Sequence, residues 1–342
     1  MANLISTNLK TAQAKLTGKF ASNEMRLISA NTYKSIITNT SIMVPNYEEL
    51  RKNESRTLEA SLLTRTKRTV STGRSASHTG TRGDSAVFTP QWATSAISFS
   101  DSLKMYGNNT VARQEALNNS FENAYLDVIE SLEGEAQDFI YGERSGVNVS
   151  TGGGGTFDET DDVYNFANAN IDTVIQKTKT VMEENGYKGR ITIYADSIAY
   201  DLFEYQAFQG SGNGTNLSFQ KDNVEFVRSI DLASKFAPLA GTYTTGVWIA
   251  APEASVGALP WVPAENRAGI STRLQTYATG ISPYDGVSYA THFYEVAEDN
   301  EASNGELQDE TVQYEVSIDM SFFASPITVT DETALFAFSL QA

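Results

Sequence analysis

Apolar residues recur at helical spacing across residues 109–141, where Leu117, Phe121, Ala124, Val128, Leu132 and Phe139 mark one face. Glu115, Glu122, Glu130, Glu133 and Asp138 fall elsewhere and are expected to face water. Roughly thirty residues at about 1.5 Å each span about 45–50 Å, which suits a structural spine. A looser helical spacing over residues 3–38, through Leu9, Ala12, Leu16, Phe20, Leu27 and Ile28, predicts one or two short amphipathic helices. Residues 158–189, "DETDDVYNFANANIDTVIQKTKTVMEENGYKG", read as another amphipathic helix, with Asp161 or Asp162 near its N-cap and Gly186 near its end.

Residues 56–106 change period. "RTLEASLLTRTKRTV" and "SAVFTPQWATSAISFSDSLKMY" read as strands, with alternation at Ala86-Val87-Phe88 and Ile97-Ser98-Phe99, and "STGRSASHTGTRGD" between them is a turn-rich tip. So long a polar excursion is expected to project as a two-stranded arm, with a reach bounded at about 80 Å. Such a hairpin is marginal alone and needs a surface to lie on. Further along, "RITIYAD" reads as a short buried strand and "SIAYDLFEYQAF" as a short helix. "VEFVRS", "GVWIAA" and the segment around Trp261 are further strands. The end is β-rich: "GVSYATHFYEV", "ETVQYEVSIDMSFF", "PITVTD" and "TALFAFSLQ".

Charge sharpens this picture. The 342 residues carry a net −17 and no cysteine, which excludes disulfides and thiolate metal sites. Residues 1–82 hold 13 Lys and Arg against five Asp and Glu, a net +8, while the remainder holds 12 against 37, a net −25. Arg65, Lys67, Arg68, Arg74 and Arg82 lie in the arm with no acid among them before Asp84. Three uses compete: binding nucleic acid, forming a solvated tail, or lying on the acidic body of a neighbouring copy. An acidic body repels phosphate, which weakens the first. For the third, Val87, Phe88, Trp92, Ile97 and Phe99 are expected to supply most of the holding energy between copies, with charge setting the register.

No candidate catalytic, cofactor-binding or metal-binding residue emerges. His78 sits in the arm tip, and His292 lies in an alternating strand, where a structural role is expected. The run Gly152 to Gly155 lacks the Lys-Ser/Thr ending of a phosphate loop and does not open into a helix. The acids of residues 158–162 lack the spacing of a calcium loop. Arg82-Gly83-Asp84 matches an integrin-binding tripeptide, but Gly-Asp is also ordinary turn chemistry. No secretory signal and no stretch of about 18 apolar residues is seen, so neither export nor a membrane partner is expected.

The element order resembles the major capsid protein of tailed bacteriophages, whose fold is shared with encapsulin shell proteins. "FDETDDVYNFANANIDTVIQKTKTVMEENGYKGRITIYADSIAYDLFEYQ", residues 157–206, is the stretch most similar to that family. "YEVSIDMSFFASPITVTDETALFAFSLQA" is similar to its closing strands. The resemblance implies an α+β fold with an N-terminal arm at 1–55 and an extended β-hairpin loop at 56–106. It further implies a peripheral domain with the spine helix at 107–189, an axial domain at 190–285 and return strands of the peripheral domain at 286–342. It implies a virion structural protein, made in the host bacterial cytoplasm and not an enzyme. Copies of it would assemble as hexamers and pentamers into an icosahedral shell around double-stranded DNA, without cofactors and without sequence-specific binding. Scaffolding, portal and decoration proteins are its expected partners, and with no room for a long N-terminal scaffolding segment, any scaffold is expected to be separate or unnecessary. Some members crosslink neighbours through a loop lysine and a distant asparagine; Lys67 is the only lysine in residues 56–103, and no pattern licenses the transfer. The alternatives are an encapsulin-like compartment, an adhesin or fibre-type binding protein and, third, an enzyme.

Overall fold

The computed structural model describes residues 11–12, 14–15, 30–43, 60–63, 72–74, 85–102, 110–209, 223–241, 243, 245–269, 275–297, 310–324 and 332–341. The architecture is α+β, and the described residues form two large sheets and one small one.

The first sheet is antiparallel, in the order β10 (Gln275–Ile281), β11 (Ser288–Ala297), β12 (Glu310–Ala324), β3 (Ala93–Ser102), and β9 (Val256–Trp261) pairs with the far end of β12. Along β12 every second residue, Val312, Tyr314, Val316, Ile318 and Met320, is buried, which is the strand period of two. The helix expected at 109–141 is α2 (Thr110–Gly142), and it lies on this sheet. Phe121 meets Phe99 of β3 edge-on at 4.9 Å and Tyr314 of β12 at 5.4 Å, while Phe99 stacks on Tyr314 at 5.2 Å. Tyr125 meets Tyr289 of β11 edge-on at 5.4 Å. Ring pairs of this kind add about 0.5–1.5 kcal/mol each beyond the area they bury.

The second sheet is mixed: β4 (Gly155–Asp158), β5 (Val163–Ala167), β13 (Phe336–Gln341), β8 (Val247–Pro252), β6 (Ile191–Ala195), β7 (Val224–Arg228). Its β5–β13 and β6–β7 pairs are parallel. Both faces are covered, so its central strands are continuous apolar runs. Tyr194, Val247, Ile249 and Ala337 face the core shared with α1 (Asn31–Met43), α2 and α5 (Leu232–Phe236). Ile193, Ala195, Trp248, Ala250 and Phe338 face a second core with α3 (Val174–Glu184) and α4 (Ser197–Gln209). Trp248 is stacked on Phe166 and Phe338, and its indole N–H donates to Thr178 at 3.2 Å. A short α6 (Ala264–Ala268) follows β9.

Two expectations change. The single helix over 158–189 is instead strand β5, a 3-10 turn at Asn168–Thr173, and α3, which begins only at Val174. Val163, Tyr164, Asn165 and Phe166 are all buried between β4 and β13, and sheet pairing overrides the helical reading of that run. Gly186 does follow the helix end, with φ +93°. The hairpin expected over 56–106 does not include residues 93–102, which join the body instead. Among the described residues β1 (Ala60–Leu63) pairs with β2 (Ser85–Phe88) in a sheet of their own, and β3 belongs to the first large sheet. Pro90 lies at the break, where a residue without an N–H cannot continue a ladder. The "PITVTD" strand lies outside the described residues.

Phe121→Ala removes the ring shared by β3, α2 and β12. It is expected to lower unfolding free energy by about 3–5 kcal/mol in a denaturant titration.

Candidate assembly surface

The small β1–β2 sheet carries the basic segment between its strands. Ala60 pairs with Phe88 and Leu63 with Ser85. Arg74 is exposed just after a bend at residues 72–73; Arg65, Lys67, Arg68 and Arg82, like His78, lie outside the described residues. Val87 and Phe88 belong to β2. Trp92 is half-buried, with its ring 6.2 Å from Trp261 of β9. Ile97 and Phe99, expected as contacts between copies, pack against their own core. The reason is the break at Pro90, which returns the following strand to the body.

Carboxylates that looked like solvated surface hold the body together. Glu133 and Glu122 are buried on α2. Glu133 accepts the backbone N–H of Tyr33 at 2.8 Å and of Thr32 at 3.3 Å, and the amide of Gln137 at 2.8 Å. It therefore supplies a carboxylate to the N-terminal turn of α1, where free N–H groups and the helix dipole favour negative charge. Asp285, in the β10–β11 turn, accepts the hydroxyls of Tyr33 at 3.1 Å and Tyr289 at 2.6 Å. Burial pushes its carboxyl above the ordinary carboxylate range, although these donors and the Val287 N–H act the other way. Asp161, expected at a helix cap, instead accepts the N–H groups of Ala240 and Gly241 and the Tyr243 hydroxyl. Burial pushes that carboxyl up, but the three donors together bring it below its ordinary value.

The glycine-rich loop has an internal anion. The Ser150 hydroxyl and the N–H groups of Thr151 and Gly152 all donate to one oxygen of Glu184, at 2.6, 3.0 and 2.9 Å. These bonds, the Ser150 hydroxyl foremost, hold the Glu184 carboxyl below its usual range. A Cβ on Gly155 would lie 2.3 Å from the Asn165 carbonyl oxygen, so close backbone approach requires glycine there. His292 stacks on Tyr277 at 4.5 Å and on Tyr294 at 5.7 Å. Among the described residues, no group of three or more His, Asp or Glu side chains is placed to hold a metal ion.

A groove of about 830 Å³ runs between the C-terminal half of α2 and the end of β12. Phe139 and Phe322 lie in it with ring centroids 5.9 Å apart, and Glu135, Asp138, Glu143 and Glu332 also line it. Asp138 is paired with Lys235 at 2.6 Å. Nothing in the alternation of β12 or the spacing of α2 announces the groove, because it forms only where the two elements meet.

No protein-family model and no curated protein matches the chain. Solved bacteriophage structures are similar to it. A structure described as the cyanophage Pam1 capsid asymmetric unit is 12% identical, with 86% of this chain and 87% of that chain covered and a TM-score of 0.44. A structure from Mycobacterium phage Cain is 13% identical, with 84% and 87% covered and a TM-score of 0.44. The head structure of Helicobacter pylori bacteriophage KHP40 is 12% identical, with 83% and 84% covered and a TM-score of 0.40.

Asp285 gives a pH signature. Its folded form binds a proton more readily than the unfolded chain does, so ionisation near neutrality costs stability that returns as pH falls. Wild type is expected to gain stability relative to Asp285→Asn between pH 7 and about 4 in paired thermal melts.

Proposed function

We propose that the chain is a shell-forming subunit, the major capsid protein of a tailed bacteriophage, assembling as hexamers and pentamers around double-stranded DNA. The observation that carries this reading is the β1–β2 hairpin, a two-stranded sheet separate from both large sheets. It bears the basic segment of a chain whose remainder is strongly acidic. A two-stranded hairpin is marginal alone in water, so it needs a surface, and the acidic body of another copy supplies the opposite charge. In this reading α2 is the spine of the peripheral domain and residues 190–285 form the axial domain. Ile198 and Tyr205 of α4, 53% and 62% exposed, offer that domain apolar contacts with its neighbours. Many modest contacts per copy add up to a strong shell. The acidic body also keeps the inner wall from gripping packaged DNA. The particle is a virion component made in the host cytoplasm, with scaffolding, portal and decoration proteins as its partners.

Electron microscopy and sedimentation of the purified chain test this directly. Closed shells are expected, and a protein that stays monomeric at high concentration overturns the reading. Reversing Arg65, Lys67 and Arg68 to Glu is expected to leave the subunit's melting temperature unchanged and to cut particle yield by about tenfold or more. A normal yield from that variant removes the hairpin from the assembly role.

A further inference from the structure

We infer that a cavity at the outer edge of β7 is a binding site for a phosphate group. This goes beyond the shell reading and does not rest on it. The cavity, of about 370 Å³, is lined by residues 225–228 of β7, by Lys34 and its neighbours on α1, and by Tyr200 of α4. Among the described residues β7 ends the order of the second sheet, and α1 and α4 pack on opposite faces of that sheet. The cavity therefore follows the strand's outer edge. The Asn31 amide donates to the Arg228 carbonyl at 3.4 Å, which ties the start of α1 to the end of β7.

Two cations stand in this cavity without full partners, in a chain with 42 acids against 25 Lys and Arg. Lys34 is half-buried and, among the described residues, has no carboxylate within ion-pair distance. Arg228 lies over the Tyr200 ring at 5.6 Å, and its Nη2 is 3.5 Å from the Asp201 carboxylate. Its Nε–H, however, is buried with no acceptor among the described residues. A buried donor left over in this way is costly, and an anion in the cavity supplies the acceptor. Strand parity adds a backbone donor. The Ser229 N–H donates to the Ala195 carbonyl of β6 at 2.8 Å, so Glu225 and Val227 turn their N–H groups to β6 and Phe226 turns its own to the outer edge. The acid of the lining, Glu225, has the Ser35 and Thr192 hydroxyls 3.4 Å from its oxygens, on the face opposite Arg228. Lys34 thus approaches from one side of the sheet and Arg228 from the other. A carboxylate offers its acceptors in one plane, whereas a tetrahedral phosphate offers them in several directions and matches donors so placed.

Titration calorimetry with inorganic phosphate tests the site, on the full-length chain purified in a phosphate-free buffer at fixed ionic strength. Saturable binding is expected. Lys34→Gln and Arg228→Gln are each expected to weaken it by about tenfold or more, since each removes a hydrogen bond to a charged group. Without phosphate, Lys34→Gln is expected to melt like wild type, because Lys34 has no carboxylate partner to lose. Glu225→Gln removes the acid of the lining and keeps its shape; it is expected to tighten binding several-fold, a gain that a misfolded variant would not give. A short double-stranded DNA, titrated in the same buffer, separates two sources of the phosphate group. Binding of phosphate alone assigns the site to a small ligand, and tighter binding of the DNA, lost in the same variants, assigns it to a polynucleotide backbone; either sustains the site. No saturable binding of either probe overturns the inference. Equal affinity in wild type and all three variants means an adventitious ion only and overturns it as well.

Discussion

The contact among Phe99, Phe121 and Tyr314 is the one on which the rest of the structure depends. It joins three elements remote in sequence, β3, α2 and β12, at ring separations of 4.9–5.4 Å. Because Phe99 is committed there, β3 joins the first large sheet after Pro90, while β1 and β2 pair in a sheet of their own. Because Phe121 is committed there, α2 is fixed in rotation, which turns Glu133 toward α1 and Phe139 toward Phe322. An apolar cluster thereby sets where charged groups are held.

Carboxylates complete that arrangement, two of them buried and one at the surface. Glu133 fastens the start of α1, Asp161 fastens the loop before β8, and Glu184 fastens the glycine-rich loop. Each accepts backbone N–H groups that secondary structure leaves over, and Glu133 and Asp161 do so where burial would otherwise strand those donors. Part of the chain's large negative charge is therefore internal wiring and not solvated surface.

Much of the fold could be read from periodicity. The long helix is legible because Leu117, Phe121, Ala124, Val128 and Leu132 repeat at a helical interval, and β12 because its buried residues alternate. The buried strand at Ile191–Ala195 and the helix after it also follow from their apolar patterns. The run Val163–Ala167 was not legible, since a short apolar stretch suits either a helix or a strand until its neighbours in the sheet are known. Nor were the roles of Glu133 and Asp161, whose partners lie 100 and about 80 residues away along the chain. Of the residues proposed for contacts between copies, Ile97 and Phe99 misled because alternation tells that a face is buried but not against what. Arg74 alone among the five basic residues of the arm can be placed, and it is exposed.

The break at Pro90 also separates two kinds of sequence freedom. Body residues are tied to one another through both large sheets, so a length change there would shift strand register and turn side chains to the wrong face. The turn-rich segment before the break connects β1 and β2, which belong to neither large sheet. Insertions or deletions between Leu63 and Ser85 can alter how far the appendage extends while leaving the framework untouched, which makes this segment the natural place for evolution to tune spacing and curvature.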